Sequence, residues 1–274
     1  METRMSTTVP SGLYTDSAAM QVLRAVLDRK PSTCPFIRWH LQEKFGVMEN
    51  LFRKYLTADI RFIDMGCGTG DGLVLAGLCQ PNCELWGLDI YPPDLQEAKS
   101  RTRGVIVEGN MLDPDVPKES FDVVHEFGAA YLVRGWDALA KVYFSLLRDD
   151  GILLWELPQK WSMAHISYML SVAPKITEKD TKIKRIIRSF FPSKYSFESD
   201  SAVTRALQST GYNYEILETI PICHFYCRGL FCKVMDFAWK FGGDDLFARL
   251  DKIAAKLWPR YSGYYLVIRK LGRI

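Results

Sequence analysis

The sequence predicts an α/β fold of three layers, in which a mostly parallel sheet of seven strands lies between helices. Three observations carry that expectation. Short apolar runs alternate with helical periods over 60–157, a pattern that implies a parallel sheet covered on both faces. The first run ends directly in Gly66-Cys67-Gly68-Thr69-Gly70, the kind of glycine turn that joins a strand to a helix. Two further strand-like runs return at 214–218 and 264–268.

The elements follow in order. Asp16 is placed to cap a helix whose apolar face includes Ala19, Val22, Leu23, Val26 and Leu27. Pro31 and Pro35 interrupt it, and a second helical stretch spans 36–56. Strand one is Ile60-Arg61-Phe62-Ile63-Asp64-Met65, followed by a helix over 71–78. Strand two covers 85–89, with a helix over 94–100, and strand three covers 105–107. Strand four covers 121–125, a helix 136–147, and strand five 152–157. Their unbroken apolar character suits strands buried on both faces.

After Pro158 the alternation pauses. The pause holds two helical stretches, 161–172 and 180–191, then a helix over 199–209 closed by Gly211. A sixth strand at 214–218, helices over 228–257 and a last strand at 264–268 complete the chain. The expected organisation is one domain over 1–274. Within it, 1–58 forms an N-terminal helical cap and 59–158 the binding core. Residues 159–212 form a cap insert and helix, and 213–274 the C-terminal strands and helices.

The bulk properties restrict function. The 274 residues are 48% hydrophobic and 24% charged, ordinary for a globular protein. Thirty-five basic against 32 acidic residues leave +3, too little to argue for nucleic acid. No stretch approaches the roughly 18 apolar residues of a membrane span. The first eleven residues lack the apolar centre of a secretory signal. The seven cysteines, an odd number, do not read as a disulfide framework. Reduced thiols in the cytoplasm are expected. Cys79 with Cys83, and Cys223, Cys227 and Cys232, lack the close spacing of structural zinc sites, and no metal is expected.

Three features fall at the ends of the first three strands. The glycine loop lets a ligand approach the backbone, and the helix after it points its amides at that space. Asp89 stands nineteen residues after Gly70, where an acidic residue accepts hydrogen bonds from ribose hydroxyls. Gly109-Asn110-Met111 follows strand three and offers an amide side chain and backbone groups to a base. The spacing of the loop is GxGxG, not the GxGxxG of dinucleotide folds.

With these residues in view, the chain resembles the class I S-adenosylmethionine-dependent methyltransferases. Phe62-Ile63-Asp64-Met65-Gly66-Cys67-Gly68-Thr69-Gly70 is similar to that family's first motif. Gly263-Tyr264-Tyr265-Leu266-Val267-Ile268-Arg269-Lys270 looks like its antiparallel last strand. The resemblance implies a Rossmann-like sheet, S-adenosylmethionine as cofactor and S-adenosylhomocysteine as product. It also implies that Gly66, Cys67, Gly68, Thr69 and Gly70 hold the methionine moiety with Asp64 nearby. Asp89 would take the ribose and Ile90 would pack on the adenine. Asn110, where the family usually has aspartate, and the Met111 backbone would meet the adenine amine.

For the methyl acceptor the resemblance points to His125-Glu126-Phe127-Gly128-Ala129-Ala130-Tyr131 after strand four. Glu126 is read either as a base or substrate-holding group, or as a partner of the cofactor or of neighbouring backbone amides. His125 and Glu126 alternate on the strand and face opposite ways, so His125 is either a satisfied interior histidine or the base. Tyr131 is read as orienting the substrate or as packing. The Asn-Pro-Pro-Tyr-like segment of enzymes that methylate base or glutamine amines is absent, which argues against those acceptors.

The cap is expected to choose the acceptor, drawing with Phe127 on Tyr14, Trp39, Trp161, Met163, Tyr168, Phe190, Phe191 and Tyr195. The expectation is methylation of oxygen, nitrogen or carbon in an apolar or aromatic metabolite. The alternatives are a tRNA or protein methyltransferase, methylation coupled to cyclisation, and a non-catalytic cofactor-binding module. The basic and apolar stretch 182–191 is read as a surface helix or a weak membrane-surface contact.

Overall fold

The computed structural model describes residues 17–30, 33–133, 136–157, 199–223, 230–257 and 263–274. The segments 1–16 and 158–198 lie outside them, and with them Asp16, Tyr14, Trp161 and the other insert aromatics. The membrane-contact reading of 182–191 falls there too.

Helix α1 (Ala18–Arg29) is capped by Ser17, whose hydroxyl accepts from the Met20 amide at 3.2 Å. The cap therefore lies one residue later than the sequence predicts. Serine is as good an acceptor for a free N-terminal amide as aspartate. Helix α2 (Pro35–Tyr55) starts on Pro35, which needs no amide partner in the first turn. Glu49 of α2 accepts from the Ala19 amide at 2.9 Å and so fastens α1 to α2.

The alternation then runs β1 (Arg61–Met65), α3 (Asp71–Cys79), β2 (Glu84–Asp89), α4 (Pro92–Arg101), β3 (Val105–Glu108) and β4 (Phe121–Glu126). A 3-10 turn at Ala130–Leu132 leads to α5 (Trp136–Leu146) and β5 (Leu147–Leu157). The described chain resumes with α6 (Asp200–Gln208), β6 (Tyr212–Cys223), α7 (Leu230–Leu257) and β7 (Gly263–Arg273). Helix α7 is broken at Gly243, whose φ is 57°.

The seven strands form one sheet in the order β3-β2-β1-β4-β5-β7-β6. The pairs from β3 to β5 are parallel, and β7 is antiparallel to both β5 and β6. This is the expected mostly parallel, Rossmann-like sheet with an antiparallel last strand. The chain leaves β1 toward β2 and β3, then returns to β4 on the other side of β1. That reversal puts the binding crevice at the carboxyl ends of β1 and β4.

Each face of the sheet carries its own apolar cluster. One joins α1, α2, α3, α4 and α7 to Phe62, Val123, Leu154 and Tyr265. The other joins α5 and α6 to Ile63, Val124, Leu153 and Trp155. Consecutive strand residues point to opposite faces, so His125 and Glu126 part company as the alternation requires. Among the described residues no helix is long and apolar enough to cross a membrane.

Candidate functional site

The glycine loop owes its shape to three left-handed residues, Gly66, Gly68 and Gly70, with φ of 76°, 50° and 81°. Side chains rarely adopt that conformation. The Gly66 and Cys67 amides both donate to Leu88 O, at 2.7 and 3.0 Å, which ties the loop to β2. Arg101 of α4 donates to Thr69 O at 2.6 Å and to Asp71 at 2.7 Å, and Arg29 of α1 meets the same Asp71 oxygen at 2.6 Å. Two cations therefore hold the first turn of α3 from outside.

Asp89 sits at the end of β2 and grips the loop. Its Oδ2 accepts from the Gly68 amide at 2.9 Å and its Oδ1 from the Tyr91 amide at 3.0 Å. Each oxygen keeps a lone pair for a further donor. The next residue, Ile90, is 67% exposed, an apolar side chain left open beside the loop. Asn110 is exposed, and its Oδ1 accepts from the Leu112 amide at 3.0 Å. Met111 is half-buried and reaches Gly66 with its side chain: a Cβ on Gly66 would stand 3.7 Å from its Cε.

Two residues of the expected binding set, Asp64 and Cys67, are buried. Asp64 is buried, with Oδ1 2.8 Å from His125 Nδ1, and a Cβ on Gly72 would stand 2.5 Å from its Oδ2. It braces the loop and α3 from the sheet side. Cys67 is buried, and burial, then the charge of Asp64, pushes its thiol above the ordinary range.

Beyond β4 the candidates divide by face. His125 is fully buried, and both ring nitrogens are engaged, Nδ1 with Asp64 and Nε2 with Tyr265 Oη at 3.0 Å. The carboxylate side fixes the tautomer: Nδ1–H donates to Asp64, and Nε2 accepts from the tyrosine. Burial keeps the Tyr265 hydroxyl protonated far above its usual range, as a donor must be. The rings of Phe52, Phe62 and Phe127 surround the imidazole.

Glu126 faces the other way. Its Oε1 accepts from the Ala129 and Ala130 amides, the second at 2.7 Å, and so closes the turn after β4. Its Oε2 is buried with no partner among the described residues. Burial first, then the charge of Glu156, pushes the Glu126 carboxyl up to about 8. The turn it holds abuts the glycine loop: a Cβ on Gly66 would lie 2.5 Å from Ala129 Cβ. Of the two roles read for Glu126, this geometry matches the partner of backbone amides. Tyr131 belongs to the 3-10 turn, and its side chain is outside the described structure.

Phe127 is half-buried at the carboxyl edge and packs on Phe45 of α2, ring centroids 6.0 Å apart. Trp39 does not join it. The indole is buried in the core between Phe36 and Phe247, at 5.8 and 5.7 Å, because α7 packs on that face of α2. Two residues not singled out in the sequence do join Phe127. Lys44 Nζ lies 4.4 Å from the Phe127 centroid and 2.7 Å from Glu156 Oε1. Their signal in the sequence is faint. Lys44 is one of several charges on α2, and Glu156 is the lone carboxylate in the apolar run Ile152-Leu153-Leu154-Trp155-Glu156-Leu157. Among the described residues no cluster of three or more histidine, cysteine or acidic side chains could hold a metal.

The model of the methyltransferase domain family matches residues 40–217. Among curated proteins no sequence matches the chain. Among solved structures, a methyltransferase of Haloferax volcanii in complex with the activator Trm112 is 13% identical, at TM-score 0.57, over 98% of this chain and 100% of that one. An S-adenosylmethionine-dependent methyltransferase of Mesorhizobium loti is 15% identical, at TM-score 0.53, over 83% and 97%. The YcgJ protein of Bacillus subtilis is 14% identical, at TM-score 0.51, over 84% and 99%. At these identities the likeness is one of fold.

Proposed function

The chain belongs to the methyltransferase domain family, and from that premise we propose that it transfers a methyl group from S-adenosylmethionine to a small metabolite. It is an enzyme of the S-adenosylmethionine-dependent class, and when bound this cofactor supplies an electrophilic methyl on a sulfonium. The observation that carries the reading is the junction at Gly66. There the glycine loop, gripped by Asp89, meets the turn that Glu126 holds at the end of β4. A ligand cradled by the loop is thereby brought to the strand end where acceptor-facing groups gather.

The residues suit the cofactor. The left-handed glycines free the backbone for close approach, and the amides at the start of α3 favour the methionine carboxylate. Asp89 retains acceptor capacity for ribose hydroxyls, and exposed Ile90 offers apolar contact to adenine. Asn110 and Met111 stand at the end of β3, where the adenine amine would fall. Asp64 and His125 act beneath this site by holding β1 to β4. Tyr14, Trp161 and Tyr131 stay in the proposal as acceptor contacts, and Phe127 joins them from the carboxyl edge.

A small apolar or aromatic acceptor is supported by the half-buried Phe127 ring at that edge, backed by the buried Phe45 ring. The experiment uses cofactor labelled in the methyl group and an extract of the source cells. Label appearing in the low-mass filtrate supports a metabolite. Label found only in retained tRNA or protein would sink that reading and favour a macromolecular acceptor. We place the enzyme in the cytoplasm on its cysteine usage, five of the described cysteines being free thiols.

A further inference from the structure

We propose that Glu156, held by Lys44 beside the Phe127 ring, receives the hydrogen-bond-donating group of the acceptor, a hydroxyl or amine on an aromatic or apolar body. The inference rests on the proposed methylation of a small metabolite and names the chemistry by which that metabolite is recognised.

Glu156 is the penultimate residue of β5 and is 7% exposed. Lys44 occupies Oε1 at 2.7 Å. Oε2 is buried and has no partner among the described residues. A carboxylate oxygen stripped of water and given no donor is costly to keep. Its position is at the carboxyl edge of the sheet, one strand beyond β4 and on the face that carries Lys44 and α2. Gly263 of β7 packs close by, where a Cβ would lie 3.4 Å from Glu156 Oε1.

The partner chemistry follows from charge and surface. The Lys44 ammonium offsets the charge of Glu156, so the orphan oxygen calls for a neutral donor more than for a second cation. The half-buried Phe127 ring, with Lys44 on it at 4.4 Å, lies next to the ion pair and adds an aromatic edge to it. An O–H or N–H on a ring or an apolar chain satisfies both. Glu126 cannot serve as well. One of its oxygens is committed to two backbone amides, and burial and the charge of Glu156 keep its carboxyl protonated up to about pH 8.

The test is binding, with no turnover required. Protein loaded with S-adenosylhomocysteine is titrated with phenol, aniline and anisole, followed by ligand-observed NMR. Phenol and aniline are expected to bind wild type more tightly than anisole, which has no donor. Glu156→Gln should weaken phenol by about tenfold, the scale of a hydrogen bond to a charged group, and leave anisole unchanged. Lys44→Met should weaken phenol by several-fold, and it serves as the second variant if Glu156→Gln does not fold. Glu215→Gln, on the far strand, should change nothing. Equal phenol affinity in wild type and both variants, or no phenol binding by loaded wild type, overturns this inference alone. Failure of wild type to bind S-adenosylhomocysteine overturns the methyltransferase reading beneath it.

Discussion

His125 Nδ1 lies 2.8 Å from Asp64 Oδ1, a side-chain contact that reinforces the backbone pairing of β1 with β4 at their carboxyl ends. Tyr265 extends the chain to β7 through His125 Nε2, at 3.0 Å. All three side chains are buried, so each polar atom depends on the next for the hydrogen bonds water would otherwise supply.

Replacing His125 by alanine strands a buried carboxylate and a buried hydroxyl and leaves a cavity among aromatic rings. A loss of about 3–4 kcal/mol is expected, against about 1 kcal/mol for Tyr265→Phe, which removes a single hydroxyl. Urea unfolding measures both. If His125→Ala kept its stability yet lost all methyl transfer, the histidine would be the base and the bracing role would be wrong.

The loop glycines separate two kinds of constraint. At Gly66 a methyl group would stand 2.5 Å from Ala129 Cβ, on a backbone with φ of 76°. At Gly68 the nearest atom to such a methyl, Asp94 Oδ2, is 3.9 Å away, and only the φ of 50° resists. Gly68→Ala is therefore expected to cost about 1 kcal/mol, the strain of a left-handed alanine. Gly66→Ala adds a clash that must part the loop from the turn after β4. It should abolish cofactor binding, or folding at 37 °C, as read by calorimetry and circular dichroism. Equal effects of the two substitutions would show that the Gly66–Ala129 contact is unimportant.

The sequence exposes the features that local chemistry dictates and hides those made by distant pairing. The glycine loop, Asp89 and the strand periods are short-range, and each is legible where it stands. The cap of α1 is legible only to within one residue, because Asp16 and Ser17 are both good acceptors and the local sequence does not choose between them. Asp64 and His125 are both visible, but their pairing spans 61 residues and requires β4 to lie beside β1. Trp39 reads as a pocket aromatic until α7 covers it. Lys44 and Glu156 are unremarkable apart, and they matter only once α2 crosses the end of β5.

Asp89 is expected to act twice, on the loop and on the ribose. Asp89→Ala removes the acceptor for the Gly68 amide as well as the one left for the ligand. S-adenosylhomocysteine affinity by titration calorimetry should fall by about tenfold or more, the range of hydrogen bonds to a carboxylate. Asp89→Asn keeps one acceptor oxygen and should fall by less. Unchanged affinity in Asp89→Ala would refute the placement of the ribose.

Glu126 makes stability depend on pH in a direction that can be worked out. Its carboxyl is raised from 4.5 to about 8, by burial first and then by the charge of Glu156. Between those values the folded protein holds a proton that the unfolded chain has released. The contribution is complete below about pH 4.5 and is lost as pH rises through about 8. The slope for one such group is at most about 1.4 kcal/mol per pH unit. Glu43, raised to about 7 by burial and by Asp251 and Asp244, adds a second decline over the lower part of that window. Glu126→Gln is permanently neutral, keeps an oxygen for the Ala129 and Ala130 amides, and should flatten the decline by the share of one group. Urea midpoints taken at half-unit steps across the window for both proteins decide the matter. A decline just as steep in Glu126→Gln would mean that the buried carboxyl of β4 is ionised in the folded state after all.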